Sequence, residues 1–96
     1  MSRLLANLFL FCDTNKESTS KLRITNYAHV EETIEYDCRS IEFEMTPYDS
    51  LNIVVNKGEG TLSFMLQNCV TSFEERESKV NIYHSNQLYL VFEFIN

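Results

Sequence analysis

The sequence predicts an all-β fold: a single small antiparallel β-sandwich or barrel of seven to eight short strands, with at most one short helical segment. Apolar and polar residues alternate with a period of two along most of the chain, which is typical of strands with one buried face. The segments between them are short and contain turn-forming residues. The chain has 96 residues, with two Gly and one Pro, so we expect one domain, residues 1–96, without an internal linker.

The first predicted strand is the apolar run Ala6–Cys12, buried on both faces, with or without one helical turn before it. This run is short for the apolar region of a signal peptide, and no small-residue cleavage pattern follows it. It is also too short to cross a bilayer. Cysteines are few and widely spaced, as in reducing compartments. These features predict a cytoplasmic protein.

Alternating patterns predict seven further strands. Their ranges are 21–27, 30–36, 41–45, 51–56, 61–67, 79–84 and 87–95. Pro47 and Asp49 mark a turn between two of them. Gly58 and Gly60 predict a hairpin at "NKGEG", because glycine adopts positive φ without steric cost. A second hairpin is predicted around Ser85-Asn86.

Two segments are predicted to lie outside the strands. The polar segment Thr14–Ser20 is predicted as a loop. In "TSFEERESK", Ser72 is placed to cap a helix N-terminus, and Glu75 completes the spacing of a capping box. Because no apolar stripe at helical spacing accompanies these residues, we predict one or two helical turns or a charged loop.

The acidic residues are concentrated in one segment. The net charge is −6, and residues 30–50 contain seven acids and one base, Arg39. The remaining residues carry seven acids and seven bases, so this segment accounts for the whole excess. The negative charge disfavours binding to nucleic-acid phosphates.

The segment "IEYDCRSIEFEM", residues 34–45, places acids at alternate positions. If strands 30–36 and 41–45 form a hairpin, Glu35 faces Glu42 across it. Opposed like charges destabilise a sheet by roughly 0.2–1 kcal/mol per pair. Selection for stability alone therefore disfavours this arrangement.

Two interpretations of the acidic hairpin are open. It is a solvated edge that maintains solubility and prevents edge-to-edge pairing, or it is a docking face that attracts a basic protein. In the second interpretation the predicted partner-binding residues are six carboxylates and one tyrosine. They are Glu31, Glu35, Asp37, Glu42, Glu44, Asp49 and Tyr48.

No residue pattern predicts catalysis. The two histidines are His29 and His84, and no nucleophile motif, metal-ligand spacing or phosphate-binding glycine loop accompanies them. We predict no enzyme activity, no catalytic residue, no metal and no cofactor. Cys12, Cys38 and Cys69 form no CxxC pair, so we expect free thiols, with one intramolecular disulfide as the alternative.

Small size, acidity and the absence of catalytic motifs predict a non-enzymatic binding protein that neutralises a basic protein partner. The form we expect is a bacterial immunity protein that inhibits a cognate nuclease-type toxin. One alternative is a phage-encoded inhibitor of a host defence system, of the anti-CRISPR or anti-restriction type. Another is an accessory subunit of a larger assembly. We expect no direct binding to nucleic acid or membrane.

Overall fold

The chain begins with a helix. A computed structural model of the protein describes residues 2–17, 19–28, 30–55 and 60–96. Helix α1 spans Arg3–Lys16, so the predicted strand Ala6–Cys12 is wrong, and residues 14–16 are helical where a loop was predicted. With 14 residues, α1 is also longer than the short helical segment expected.

Local sequence explains α1. Ser2 is the N-cap, and its hydroxyl oxygen accepts a hydrogen bond from the backbone N–H of Leu5 at 3.2 Å. Leu5, Leu8 and Cys12 follow at spacings of three and four residues, which places them on one helical face. All three side chains are buried. Apolar residues also fill the intervening positions, and this conceals the helical period in the sequence.

In the described part of the chain, eight antiparallel strands follow α1. They are β1 Lys21–Asn26, β2 Glu32–Asp37, β3 Ile41–Met45, β4 Ser50–Val55, β5 Gly60–Met65, β6 Cys69–Glu74, β7 Lys79–His84 and β8 Gln87–Ile95. Two short 3₁₀ turns, Cys38–Ser40 and Glu75–Glu77, lie between strands. The mostly-β prediction is therefore confirmed.

The strands form two sheets that do not close into a barrel. The five-stranded sheet has the order β2-β1-β8-β7-β6, and the three-stranded sheet has the order β3-β4-β5. Helix α1 packs against β3 and β6. The helix gives the fold an α+β character, so the prediction of an all-β domain is only partly right. Among the described residues, no helix is long and apolar enough to span a membrane.

The core lies between the five-stranded sheet and a second layer made of the three-stranded sheet and α1. Phe92 of β8 is 0% exposed, and its ring centroid lies 5.9 Å from that of Phe64 on β5. On the helix side, Phe11 lies 5.5 Å from Phe73 of β6 and 5.9 Å from Phe94 of β8. The helix thus covers a part of the large sheet that the smaller sheet leaves open.

Strand pairing confirms both predicted hairpins. Val55 of β4 faces Gly60 of β5, and Gly60 has a φ of 96°. Gly58 and the other residues of 56–59 lie outside the described residues. Strands β7 and β8 are joined by Ser85-Asn86, whose φ values of 52° and 63° are the positive values of a two-residue type I′ turn.

The predicted capping box is wrong. Ser72 lies inside β6, and Glu75–Glu77 form a single 3₁₀ turn between β6 and β7. The carbonyl of Ser78, the next residue, accepts a hydrogen bond from the N–H of Phe94 at 2.9 Å. Tertiary contacts explain the difference, because Phe73 reaches the core from a strand and this packing outweighs the local capping pattern.

Candidate protein-binding surface

The predicted acidic hairpin does not form. Strand β2 pairs with β1 and β3 pairs with β4, so the two acidic strands lie in different sheets. Glu35 therefore faces Arg23, and Glu42 faces Val54. The prediction that glutamates oppose each other is wrong.

A buried corner separates β2 from β3. Cys38 begins the 3₁₀ turn and Ile41 begins β3, and the side chains of both residues are buried. The sulfur of Cys38 lies 3.2 Å from the hydroxyl oxygen of Thr19, and Oδ1 of Asp37 accepts a hydrogen bond from the N–H of Arg39 at 2.9 Å. A solvent-exposed hairpin loop at residues 37–40 would leave the Cys38 side chain in water, whereas the change of sheet buries it.

Charges on the five-stranded sheet alternate in sign. One residue from each strand contributes to a row across the sheet, which we call the alternating row: Glu35, Arg23, Glu93, Lys79 and Glu74. The guanidinium of Arg23 lies 3.5 Å from a carboxylate oxygen of Glu35 and 3.3 Å from one of Glu93. The amide of Asn81 donates a hydrogen bond to Glu74 at 3.2 Å. The row neutralises most of its own charge.

Asp37 is compensated in a similar way. It faces Lys21 across the β1–β2 pair, and its Oδ1 lies 3.7 Å from Nε of Arg39. Glu31, just before β2, is exposed and forms no ion pair with the described residues. Two of the three predicted binding residues on this sheet are thus engaged by the chain's own cations.

Glu42 and Glu44 are not compensated. Both are exposed on β3, an edge strand of the three-stranded sheet. They face Val54 and Asn52 on β4, and the next strand places a threonine and a serine beside those residues. Among the described residues, no cation lies within 4.0 Å of either carboxylate.

Lys16 approaches β3 from the helix without forming an ion pair there. Its Nζ lies 5.9 Å from the centroid of the Phe43 ring, within the range of a cation–π contact. Phe43 points to the inner side of β3, because it alternates with the exposed Glu42 and Glu44. The lysine therefore stabilises the contact of α1 with β3 and leaves the outer glutamates unpaired.

The turn after β3 extends the acidic surface. The side chain of Tyr48 is 79% exposed, and its N–H donates to the hydroxyl of Thr46 at 3.3 Å. Asp49 has a φ of 54°, and its carbonyl accepts a hydrogen bond from Leu66 at 2.9 Å. This bond ties the turn to the residue after β5. We define the β3 acidic surface as Glu42, Glu44, Tyr48 and Asp49.

The groups most often used in catalysis lie elsewhere. Cys12, Cys38 and Cys69 are free and buried, and burial raises the pKa of Cys12 well above its ordinary value, with smaller contributions from the charges of Cys38 and Asp13. The thiol therefore stays protonated at neutral pH. In the residues that the structure describes, no three His, Cys, Asp or Glu side chains are grouped to hold a metal ion.

His84 is not paired with a nucleophile in the core. His84 is exposed at the end of β7, with its Nδ1 3.4 Å from the hydroxyl oxygen of Ser85 in the adjacent turn. His29 lies outside the described residues.

Three surface cavities lie away from the β3 acidic surface, and none of these three is lined by one of its residues. The largest, 560 Å³, lies between α1 and β6. A second, 460 Å³, is lined by Tyr27, His84 and Tyr89 among others. Burial raises the pKa of Tyr89, with a smaller effect from Cys69. The third, 140 Å³, lies between β2 and β5.

The chain matches no protein-family model, and no curated protein or solved structure is similar to it.

Sequence reasoning located the acidic residues of both sheets but missed the row of charges that compensates Glu35. The alternating row includes Arg23, Glu93, Lys79 and Glu74, none of which was predicted to matter for the acidic segment. Each occupies an outward position of its strand, and that signal is readable in the sequence. The order of strands in the sheet, which places them side by side, is not.

Proposed function

We propose that this chain is a non-enzymatic acidic binding protein that neutralises a basic protein partner in the cytoplasm, as an immunity protein neutralises a nuclease-type toxin. The observation that carries the proposal is the uncompensated pair Glu42 and Glu44. The same chain pairs Glu35 with Arg23 and Asp37 with Arg39. Other carboxylates of this fold therefore form ion pairs with the chain's own arginines, whereas Glu42 and Glu44 form none with the described residues.

Electrostatics give the β3 acidic surface a role in association. Clustered carboxylates on a surface without nearby cations raise the rate at which a cationic protein reaches its docking orientation, and salt weakens this effect. Tyr48 adds an exposed aromatic side chain beside the carboxylates, and tyrosine is enriched in protein interfaces. The surface therefore combines charge for steering with apolar area for contact.

The predicted binding residues divide into two groups. Glu42, Glu44, Tyr48 and Asp49 meet a partner without first breaking an ion pair. Glu35 and Asp37 must give up or share their contacts with the chain's own arginines, so we expect smaller contributions from them. Glu31 is exposed and forms no ion pair with the described residues. Its charge is therefore available to a partner, as in the first group, but it lies just before β2 and away from β3.

The test is a measurement of association rates against a panel of purified, catalytically inactive basic nuclease toxin domains. For any domain that binds, we expect the double variant Glu42→Lys, Glu44→Lys to lower the association rate by about tenfold at low salt. The difference from wild type should shrink as salt is raised, because screening weakens steering. Circular dichroism and thermal unfolding would establish that the variant is folded.

The matched control is the double variant Glu35→Lys, Glu93→Lys, which makes the same change of charge on the other sheet. We expect it to slow association much less. Equal rates for wild type and the β3 variant at every salt concentration would contradict the proposal. Competition between nucleic acid and the protein for a restriction or CRISPR component would instead support the defence-inhibitor alternative. Co-purification with other subunits in fixed ratio would support the accessory-subunit alternative.

A further inference from the structure

The edge strands of the two described sheets differ in charge. Strand β2 carries three acids and β3 carries two. Strand β5 has no charged residue, and β6 has one, Glu74, at its end. Two copies of a chain with net charge −6 repel each other through acidic edges. A second copy therefore meets least repulsion at β5 or β6.

A groove beside β6 distinguishes it from β5. The 560 Å³ cavity between α1 and β6 is lined by three apolar residues, Leu10, Phe11 and Phe73, and by polar residues that include one acid, Glu75. Leu10 is 63% exposed on the helix side of this edge, and Val70 is 61% exposed on the outer face of β6. Apolar side chains thus flank the β6 edge on both faces. The cavity between β5 and β2 is only 140 Å³, and the 460 Å³ cavity reaches only Met65, the last residue of β5.

Backbone geometry shows which peptide groups of β6 are open. The N–H of Cys69 bonds the carbonyl of Leu66 rather than β7. Because successive residues of an antiparallel strand point their peptide groups in alternate directions, those of Thr71 and Phe73 also point away from β7. No hydrogen bond to these two peptide groups is found among the described residues outside the β6–β7 pair. They are open acceptors and donors at a sheet edge.

We propose that a second copy of this chain pairs antiparallel with β6 about a two-fold axis at Ser72. In this register Thr71 bonds Phe73 of the second copy, and Phe73 bonds Thr71 of the second copy. The pairing is therefore self-complementary and satisfies the same open groups on both chains. The two five-stranded sheets become one continuous sheet, and the two α1 helices lie over it on the same side.

The register makes two further contacts specific. Ser72 faces Ser72 of the second copy in a position without hydrogen bonds, where Cα atoms are about 4.5 Å apart. Val70 faces Glu74 of the second copy on the outer face. Leu10 and the groove are covered by the incoming strand and helix, which removes the exposed apolar surface. This contact does not use the β3 acidic surface, so it stands or falls separately from the proposed function.

The first test uses Ser72→Cys in the full chain. A cross-strand cysteine pair at this spacing is within disulfide range, so we expect a covalent dimer on mild oxidation and none for wild type, whose three thiols are buried. The matched control is Ser63→Cys, an exposed serine on β5. Cross-linking of Ser63→Cys but not Ser72→Cys would place the contact on the other edge and overturn the proposal.

The second test distinguishes this register from general apolar association. Sedimentation equilibrium should show a reversible dimer for wild type. Val70→Glu opposes Glu74 of the second copy twice in the dimer, so we expect its dissociation constant to exceed that of Val70→Lys by at least about threefold. Both variants remove the same apolar side chain at an exposed site, and neither should unfold the protein. Equal weakening by both, or a wild type that stays monomeric at near-millimolar concentration, would overturn the proposal.

Discussion

The outer faces of the two sheets handle negative charge in opposite ways. On the five-stranded sheet, Arg23 lies between Glu35 and Glu93, and Lys79 lies between Glu93 and Glu74. On the three-stranded sheet, Glu42 and Glu44 face uncharged residues. Consecutive acidic strands of one chain segment therefore have different electrostatic surroundings.

This difference shows that sequence proximity is a poor guide to charge compensation in a sandwich. Glu35 and Glu42 are close in sequence, yet the corner at Cys38–Ser40 sends them to different sheets. The cation beside Glu35 comes from β1, and the second carboxylate that this arginine contacts comes from β8, on the other side of Glu35 in sequence. A local charge count finds the acidic excess, and only the strand order shows which part of it is left unpaired.

The largest effect is expected from breaking the core that holds the two sheets back to back. Phe92 is fully buried and contacts Phe64 across the layers. Phe92→Ala removes this contact and leaves a cavity, so we expect a loss of about 3–5 kcal/mol in the free energy of unfolding. Urea denaturation measures it. Tyr48→Ala, at an exposed turn position, should change the free energy of unfolding by no more than about 0.5 kcal/mol. A loss for Tyr48→Ala as large as that for Phe92→Ala would contradict a core between the two sheets.

The next largest effect is expected on the pH dependence of stability. It tests the buried Cys12 in the core rather than the charged outer faces of the sheets. Burial raises the pKa of Cys12 above its ordinary value of 9.0. As pH rises above that value, the unfolded thiol ionises while the folded thiol keeps its proton. The free energy of unfolding should therefore fall, by up to about 1.4 kcal/mol per pH unit.

The control for this pH effect is Cys12→Ala. Its stability should be lower at neutral pH but should decline less steeply above pH 9, since no buried thiol remains at that position. Tyr89, whose pKa is also raised by burial, contributes a decline of the same sign at higher pH in both proteins. Chemical denaturation across the alkaline range would measure the two slopes. Equal slopes would show that Cys12 does not couple folding to pH.

A smaller effect is expected from removing the central cation of the alternating row. Arg23→Met keeps much of the apolar stem but removes both ion pairs. Because the side chain is 39% exposed, solvent screens the loss, and we expect about 1 kcal/mol less stability at low salt. Arg39→Met, at a side chain that is 88% exposed, should have almost no effect. A loss for Arg23→Met that does not decrease with salt would argue against an electrostatic origin.

The smallest effect is expected from neutralising single carboxylates, which should change the free energy of unfolding differently on the two sheets. Glu35→Gln removes an ion pair with Arg23, so we expect a loss of a few tenths of a kcal/mol. Glu42→Gln removes a charge that has no partner and lies near Glu44, so stability should be unchanged or slightly higher. Thermal unfolding at low salt compares the two. If Glu42→Gln destabilises as much as Glu35→Gln, an unrecognised cation compensates β3.

Seven of the eight strands in the described part of the chain could be located from the sequence, whereas β6, Cys69–Glu74, was not predicted as a strand. The ranges 41–45, 79–84 and 87–95 match β3, β7 and β8 at both ends, because alternation of apolar and polar residues reports directly on a half-buried strand. The turn at Ser85-Asn86 was also predictable. Its two positive φ values are supplied by Ser and Asn rather than Gly.

Strand partners and the helix could not be predicted in the same way. Period-two alternation tells which residues of a strand share a face but not which strand lies beside it, so Glu35 could be assigned to Glu42 or to Arg23. In α1, continuous apolar residues satisfy both the strand and the helix pattern. The Ser2 cap and the spacing of Leu5, Leu8 and Cys12 were the available signals. The sequence was enough to predict which carboxylates belong to the candidate site. It was not enough to predict which of them form ion pairs with the chain's own cations.

The pairing of β1 with β8 has a consequence for how the protein is made. Residue 21 faces residue 95 in this pair, and α1 packs partly on β6 and on Phe94 of β8, which are synthesised long after the helix. At roughly 5–20 residues per second, translation leaves β1 without its partner, and the apolar stripe of α1 without cover, for several seconds. Folding of the large sheet therefore waits until β8 has been synthesised, and we expect nascent chains that lack β8 to be chaperone clients rather than folded intermediates.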